Sequence, residues 1–100
     1  MLVVNIKRSD NKIQEIVFNG HTEFDDYGKD IVCAAASSIL ITTVNACLKL
    51  DESSLSHEEK EDLVIVKVLN RNDIIDSLIE NMYELLKDLE KKYEKNIKVD

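Results

Sequence analysis

Proline is absent and glycine occurs only twice, at Gly20 and Gly28. With no internal repeats or low-complexity runs, nothing marks a linker, and the 100 residues read as one domain, 1–100, since domain sizes cluster at roughly 100–150 residues. Cysteine also occurs twice. If Cys33 and Cys47 lie on one continuous helix, a rise of 1.5 Å per residue separates them by about 21 Å, beyond disulfide reach. Two thiols fit a reducing compartment, so the expected localisation is cytoplasmic. Basic residues are the minority, 13 Lys and Arg against 20 Asp and Glu, which leaves a net charge of -7. Phosphate binding relies on Lys and Arg to displace counterions, so nucleic acid is not expected as a direct ligand, and a basic protein partner fits better.

Targeting signals are missing as well. "MLVVNIKRSD" lacks the order of a secretory signal, in which positive charge precedes the apolar core, and reads as a mature cytosolic start. The uncharged span Ile31 to Leu48 approaches the roughly 20 residues needed to cross a bilayer. Ser37, Ser38, Thr42, Thr43 and Asn45 make it too polar for that, and a buried helix is expected with no membrane partner. Hydrophobic residues make up 44% of the chain, enough for a core. So short a chain buries a smaller share of its surface than a long one and gains from a partner, which a homodimer would supply.

What is present organises itself by periodicity. Leu2, Val4 and Ile6 alternate with Val3, Asn5 and Lys7, and a second extended run, "IQEIVFNG", follows the turn-rich "RSDN", predicting a hairpin. The polar, acidic stretch from Gly20 to Gly28 predicts a mobile loop between the two most permissive backbone positions. A helix is expected from about Asp30, a candidate N-cap, to about Leu50. "DESSLSHEEKED" reads as a polar connection holding a helical turn, because Ser56 and Glu59 have capping-box spacing. "LVIVKVL" then has the length and continuous apolarity of a central strand covered on both faces or nearly so. In "RNDIIDSLIENMYELLKDLEKKYEK", Ile74, Ile75, Leu78, Ile79, Met82, Leu85, Leu86, Leu89 and Tyr93 recur at helical spacing on one broad face. A short strand follows at Ile97 to Val99. The expected fold is α+β: a single two-layer domain in the order ββαβαβ, a small mixed sheet with two helices on one face.

Chemistry concentrates in "GHTEFDDYGKDIVCAAASS", Gly20 to Ser38. A cysteine is nucleophilic as its thiolate, which a helix N-terminus or a neighbouring imidazolium favours. With Asp30 as N-cap, Cys33 falls in the first turn, where unpaired backbone amides favour an anion and can donate to an oxyanion. His21, at the mouth of its strand, is placed to exchange a proton with the thiol. The competing reading is a core cysteine, since "IVCAAA" looks buried. Cys47, between Ala46 and Leu48, is assigned to packing. Asp30 is either a helix cap or the third catalytic group. Glu23, Asp25 and Asp26 form a solvated loop or attract a cationic peptide, and Phe24 and Tyr27 cover a bound peptide or pack on the sheet. A metal site from His21, Glu23, Asp25, Asp26, Asp30 and Cys33 matches no standard zinc spacing, so no metal is expected. His57 reads as a solvated histidine among acids.

"GH", a short loop, "G-x-D", then "IVCAA" and serines resemble the signature of the ribosomal-processing cysteine proteases. The resemblance spans nearly the whole chain, and Gly20 to Ser38 is its specific part. It implies Cys33 as nucleophile, His21 as general base and Asp30 as a supporting aspartate, with Gly20 as the glycine that lets the loop move. Thr22 stands where many relatives have alanine. It also implies a homodimer, no cofactor, and as substrate a basic large-subunit ribosomal protein, number twenty-seven, made with an N-terminal extension. Phe24, Tyr27 and Gly28 complete the expected substrate loop. Two rival functions follow from the residues alone: an acidic, non-catalytic ribosome-assembly adaptor, and a thiol-dependent redox or metal sensor.

Overall fold

A computed structural model describes residues 1–20 and 27–100, with side chains described for 1–20 and 31–100. The expected N-terminal hairpin is formed by β1 (Leu2–Ser9) and β2 (Lys12–Asn19). Its register pairs Ser9 with Lys12, leaving the two-residue turn Asp10-Asn11, both at positive φ (52° and 67°). That geometry matches the right-handed twist of the flanking strands, and Asp and Asn tolerate it. A bulge between Lys7 and Arg8 shifts the register so that Arg8 faces Ile13. Ile13 and Ile16, three apart rather than two, therefore both reach the core. Gln14 steadies the bulge: its Nε2 donates to the Val68 carbonyl at 3.0 Å, and its Oε1 accepts from Arg71 Nη2 at 2.9 Å.

After α1 (Tyr27–Leu50), "LSHEEK" forms a fifth strand, β3 (Leu55–Lys60), where a helical turn was expected. It pairs antiparallel with β4 (Leu63–Val68), Lys60 opposite Leu63, across a two-residue turn that places Glu61 at φ 26°. Pairing with an apolar neighbour overrides the capping-box spacing of Ser56 and Glu59. The chain ends in α2 (Asp73–Lys92) and β5 (Ile97–Val99). The order is thus ββαββαβ in place of ββαβαβ, within the expected α+β class. The sheet runs β3-β4-β2-β1-β5, antiparallel except for β1 against β5, so it is mixed as expected.

One core holds the layers together. Leu2, Val4, Ile16, Phe18, Val66, Val68, Ile97 and Val99 share one sheet face and pack under Val32, Ala36, Val44 and Cys47 of α1 and Ile75, Ile79, Met82 and Leu86 of α2. α2 begins at Asn72, whose side-chain oxygen accepts from the Ile75 amide at 2.9 Å. Its buried stripe is narrower than the sequence suggested, because Ile74 and Leu85 are exposed. β4 also departs from expectation: among the described residues no helix covers its second face, where Leu63 and Ile65 are half-buried and Lys67 is exposed.

α1 begins at Tyr27, three residues before Asp30, so Asp30 is not its N-cap, and Tyr27 and Gly28 lie in its first turn rather than in the preceding loop. The helix is also not buried all round. Its span Ile31–Leu50 has mean hydropathy 2.0 and is long and apolar enough to cross a membrane by length and composition, yet 28% of it is buried. Val32, Cys33, Ala36, Thr43, Val44 and Cys47 face inward, while Ala34, Ser38, Thr42 and Asn45 are exposed. The Thr43 hydroxyl donates to the Ile39 carbonyl at 2.8 Å, which lets a polar side chain sit inside.

Candidate active site

Three strands meet at the end of the sheet where β2 finishes. Asn19 lies opposite Val3 on β1 and opposite Leu63 on β4. The next residue, Gly20, donates its amide to the Asp62 carbonyl at 3.1 Å. Gly20 is at φ 85°, a conformation that L side chains rarely adopt, and a Cβ there would stand 2.6 Å from the Met1 carbonyl oxygen. Only glycine fits both conditions. Its role here is thus to close the strand end against Met1 and direct the chain into the segment that begins at His21.

The expected nucleophile is carried by α1. Cys33 is 9% exposed and lies in the second helical turn rather than the first. An amide at that depth is committed to the i→i−4 ladder. The unpaired amides belong to the first four helical residues, and the terminal dipole is felt chiefly there. The expectation that Cys33 sits among unpaired amides is therefore corrected by the earlier helix start. One turn further along, Ala36 and Ser37 line a cavity of about 170 Å³ with Leu2, Phe18, Leu40, Ile41, Glu59 and Val64. The Cys33 thiol thus lies one helical turn from an open apolar cleft.

Cys47 shows what a packing cysteine looks like on the same helix. It is fully buried, and burial pushes its thiol pKa up, away from the reactive thiolate. Its carbonyl accepts from the buried Ser54 hydroxyl at 3.1 Å. Neither cysteine is in a disulfide. Two other perturbed carboxylates hold the C-terminal strand. Asp100 is held below the usual carboxylate range by hydrogen bonds from the Asn5 side chain and the Ile6 amide, and Glu90 by the Val99 amide and Lys87. Both anchor β5.

Of the expected site residues, the structure places Gly20 at the end of β2 and Cys33 on the inward side of the second turn of α1. Tyr27, Gly28 and Asp30 lie on the first turn of α1, their side chains outside the description. His21 and Phe24, the acids Glu23, Asp25 and Asp26, and the loop's expected mobility fall outside the described residues. Among the described residues no cluster of three or more His, Cys, Asp or Glu could hold a metal ion. Sequence reasoning missed the far wall of the cleft, formed by His57 and Glu59 of β3. The signal that would have found it is the alternation Leu55, His57, Glu59, once "LSHEEK" is read as a strand.

Residues 1–98 match the model of the family described as cysteine protease Prp. The ribosomal processing cysteine protease Prp of Staphylococcus aureus (strain Mu50 / ATCC 700699) is 28% identical over 104 residues, covering 100% of this chain and 98% of that protein. Among solved structures, an essential ribosomal processing protease Prp from S. aureus in complex with a substrate peptide superimposes with a TM-score of 0.91 at 27% identity, covering 100% of this chain and 98% of that one. The S. aureus protease with a covalently linked product peptide gives a TM-score of 0.88 at 28% identity and the same coverage. The resemblance read from the sequence over nearly the whole chain is borne out, the family match running from residue 1 to 98.

Proposed function

We propose, from the premise that this chain belongs to the cysteine protease Prp family, that Cys33 is its nucleophile, His21 its general base and Asp30 the group that supports the pair. The observation that carries this reading is the contrast between the two thiols. Cys47 is sealed in the core with its thiol pKa raised, whereas Cys33 is 9% exposed and stands one helical turn before Ala36 and Ser37, which line the cleft. In the proposed reaction His21 takes the Cys33 proton and the thiolate attacks the scissile carbonyl. The tetrahedral oxyanion then collapses to a thioester as the amine leaves with a proton from the imidazolium. Water, deprotonated by His21, hydrolyses the thioester and regenerates the thiol. No cofactor takes part.

The proposed substrate is the N-terminal extension of large-subunit ribosomal protein number twenty-seven, cleaved in the cytoplasm during ribosome biogenesis. A net charge of -7 suits a basic partner, and the S. aureus relative is a ribosomal processing protease. The active species is proposed to be a homodimer, supported by the uncharged exposed side of α1 at Ala34, Ser38, Thr42 and Asn45. Sedimentation should show a dimer that Thr42→Glu dissociates; a monomer at micromolar concentration would remove that part of the reading. The function itself is tested by mass spectrometry of the extended ribosomal protein incubated with wild type, Cys33→Ser and Cys47→Ser. Cleavage at one bond, abolished in Cys33→Ser alone, is expected. A binding-competent substrate left intact by every form would overturn it.

A further inference from the structure

β3 is an edge strand, and its pairing with β4 puts Leu55, His57 and Glu59 opposite Val68, Val66 and Val64. These three therefore project to the helix-covered face of the sheet. Leu55 is buried in the core, but His57 and Glu59 are exposed, at positions where the pattern of β4 calls for apolar residues. α1 does not close over them. The space left between α1 and β3 forms two cavities, of about 170 Å³ and 90 Å³, that share Leu40, Ile41, Glu59 and Val64. They make one trough with a valine and phenylalanine floor, an apolar helical wall, and a strand wall that supplies a carboxylate and an imidazole.

The trough starts at Ala36 and Ser37, one turn from Cys33, and runs along α1 as far as Val44 and Asn45. From Cys33 to Val44 the helix rises about 16 Å, the length of roughly five residues of extended peptide. Of the described residues on its walls, Glu59 is the one with an anionic side chain. Among the described residues it makes no ion pair, whereas its neighbour Glu58, on the opposite sheet face, pairs with Lys60 at 3.4 Å. A carboxylate beside an apolar floor is screened by water less than one on an open surface, so a cation brought to it gains more.

We infer that Glu59 is a specificity-determining residue. The trough takes about five residues of extended substrate next to the scissile bond, with an apolar side chain on Val64 and Leu40 and a lysine or arginine paired with Glu59. This rests on the protease reading above. An alternative role for Glu59 is purely structural, since an inward-pointing charge on an edge strand blocks edge-to-edge pairing, and that role makes no distinction among substrates.

The test uses a defined peptide library cleaved by wild type, Glu59→Gln and Glu59→Lys, with Cys33→Ser as the background control and circular dichroism to verify folding. Cleaved peptides are read by mass spectrometry, and the best is remade with its basic residue changed to methionine. Wild type should prefer the lysine peptide by about threefold to tenfold in kcat/KM, the range of a partly shielded ion pair. Glu59→Gln should bring that ratio to about one, with the larger fall in kcat/KM on the lysine peptide. Glu59→Lys should favour a glutamate peptide. A preference unchanged in Glu59→Gln, or no basic preference in wild type, would overturn the inference and leave the protease reading intact. Failure of wild type to cleave any library peptide would remove both.

Discussion

Gly20→Ala is a sharp test of how the strand end is built. At φ 85° an alanine incurs the left-handed penalty of about 1–2 kcal/mol. Its Cβ would also lie 2.6 Å from the Met1 carbonyl oxygen, which no real contact tolerates. Met1 is exposed and can give way in part. The next residue cannot, because Leu2 is buried and its amide donates to the Asn96 carbonyl at 3.0 Å. Relief must therefore come from rotating one peptide group, at the cost of about 1–2 kcal/mol typical of modest overpacking. Alanine also restricts the unfolded chain, which offsets about 0.4–1 kcal/mol. The net loss is about 2 kcal/mol, read in urea unfolding, or a fall in Tm of about 8–16 °C for a domain of this size. Gly20→Asn, which tolerates the left-handed region, should lose less. Because the strained peptide directs the chain towards His21, kcat/KM should fall in both. A Gly20→Ala protein as stable as wild type within about 0.5 kcal/mol would refute the reasoning.

Two further outcomes are expected. Iodoacetamide should label Cys33 at least tenfold faster than Cys47, since Cys47 is fully buried with its thiol pKa raised and reacts only through local opening; equal slow rates would place Cys33 in the core. The lowered pKa values of Asp100 and Glu90 contribute stability that is present above the unfolded pKa of about 4 and is lost as pH falls through the folded values. Both groups are solvent-accessible, so the effect is a few tenths of a kcal/mol each. Asp100→Asn with Glu90→Gln should be less stable than wild type near pH 7 and lose that difference near pH 3; a difference independent of pH would contradict the assignment.

How much was legible in the sequence depended on whether an element announces itself locally. The first hairpin did, through its alternation and the Asp-Asn turn, as did α2 with Ile75, Ile79, Met82 and Leu86 at helical spacing. β3 did not. "LSHEEK" has a single apolar residue and exists as a strand because β4 and the turn at Glu61 hold it, a tertiary effect that no local propensity reports. The start of α1 was misplaced for a similar reason: Asp30 has the chemistry of a cap, and glycine at position 28 is a poor helix former, yet the helix includes both. Ile74 and Leu85 fit the helical repeat but face solvent, at the margins of the stripe that Ile75, Ile79, Met82 and Leu86 bury. Cys47 was legible as packing from its apolar neighbours. Cys33 needed its partners, and the cleft that distinguishes it comes from β3.

The central claim is that peptide-bond cleavage passes through a thioester on Cys33. The most direct measurement is acid quenching of the enzyme within the first turnover on the extended ribosomal protein, followed by digestion and mass spectrometry. The account predicts an acyl adduct on the peptide containing Cys33 and none on that containing Cys47, with adduct formation strongly slowed in His21→Ala. An adduct confined to Cys47, or turnover persisting in Cys33→Ser, would contradict it.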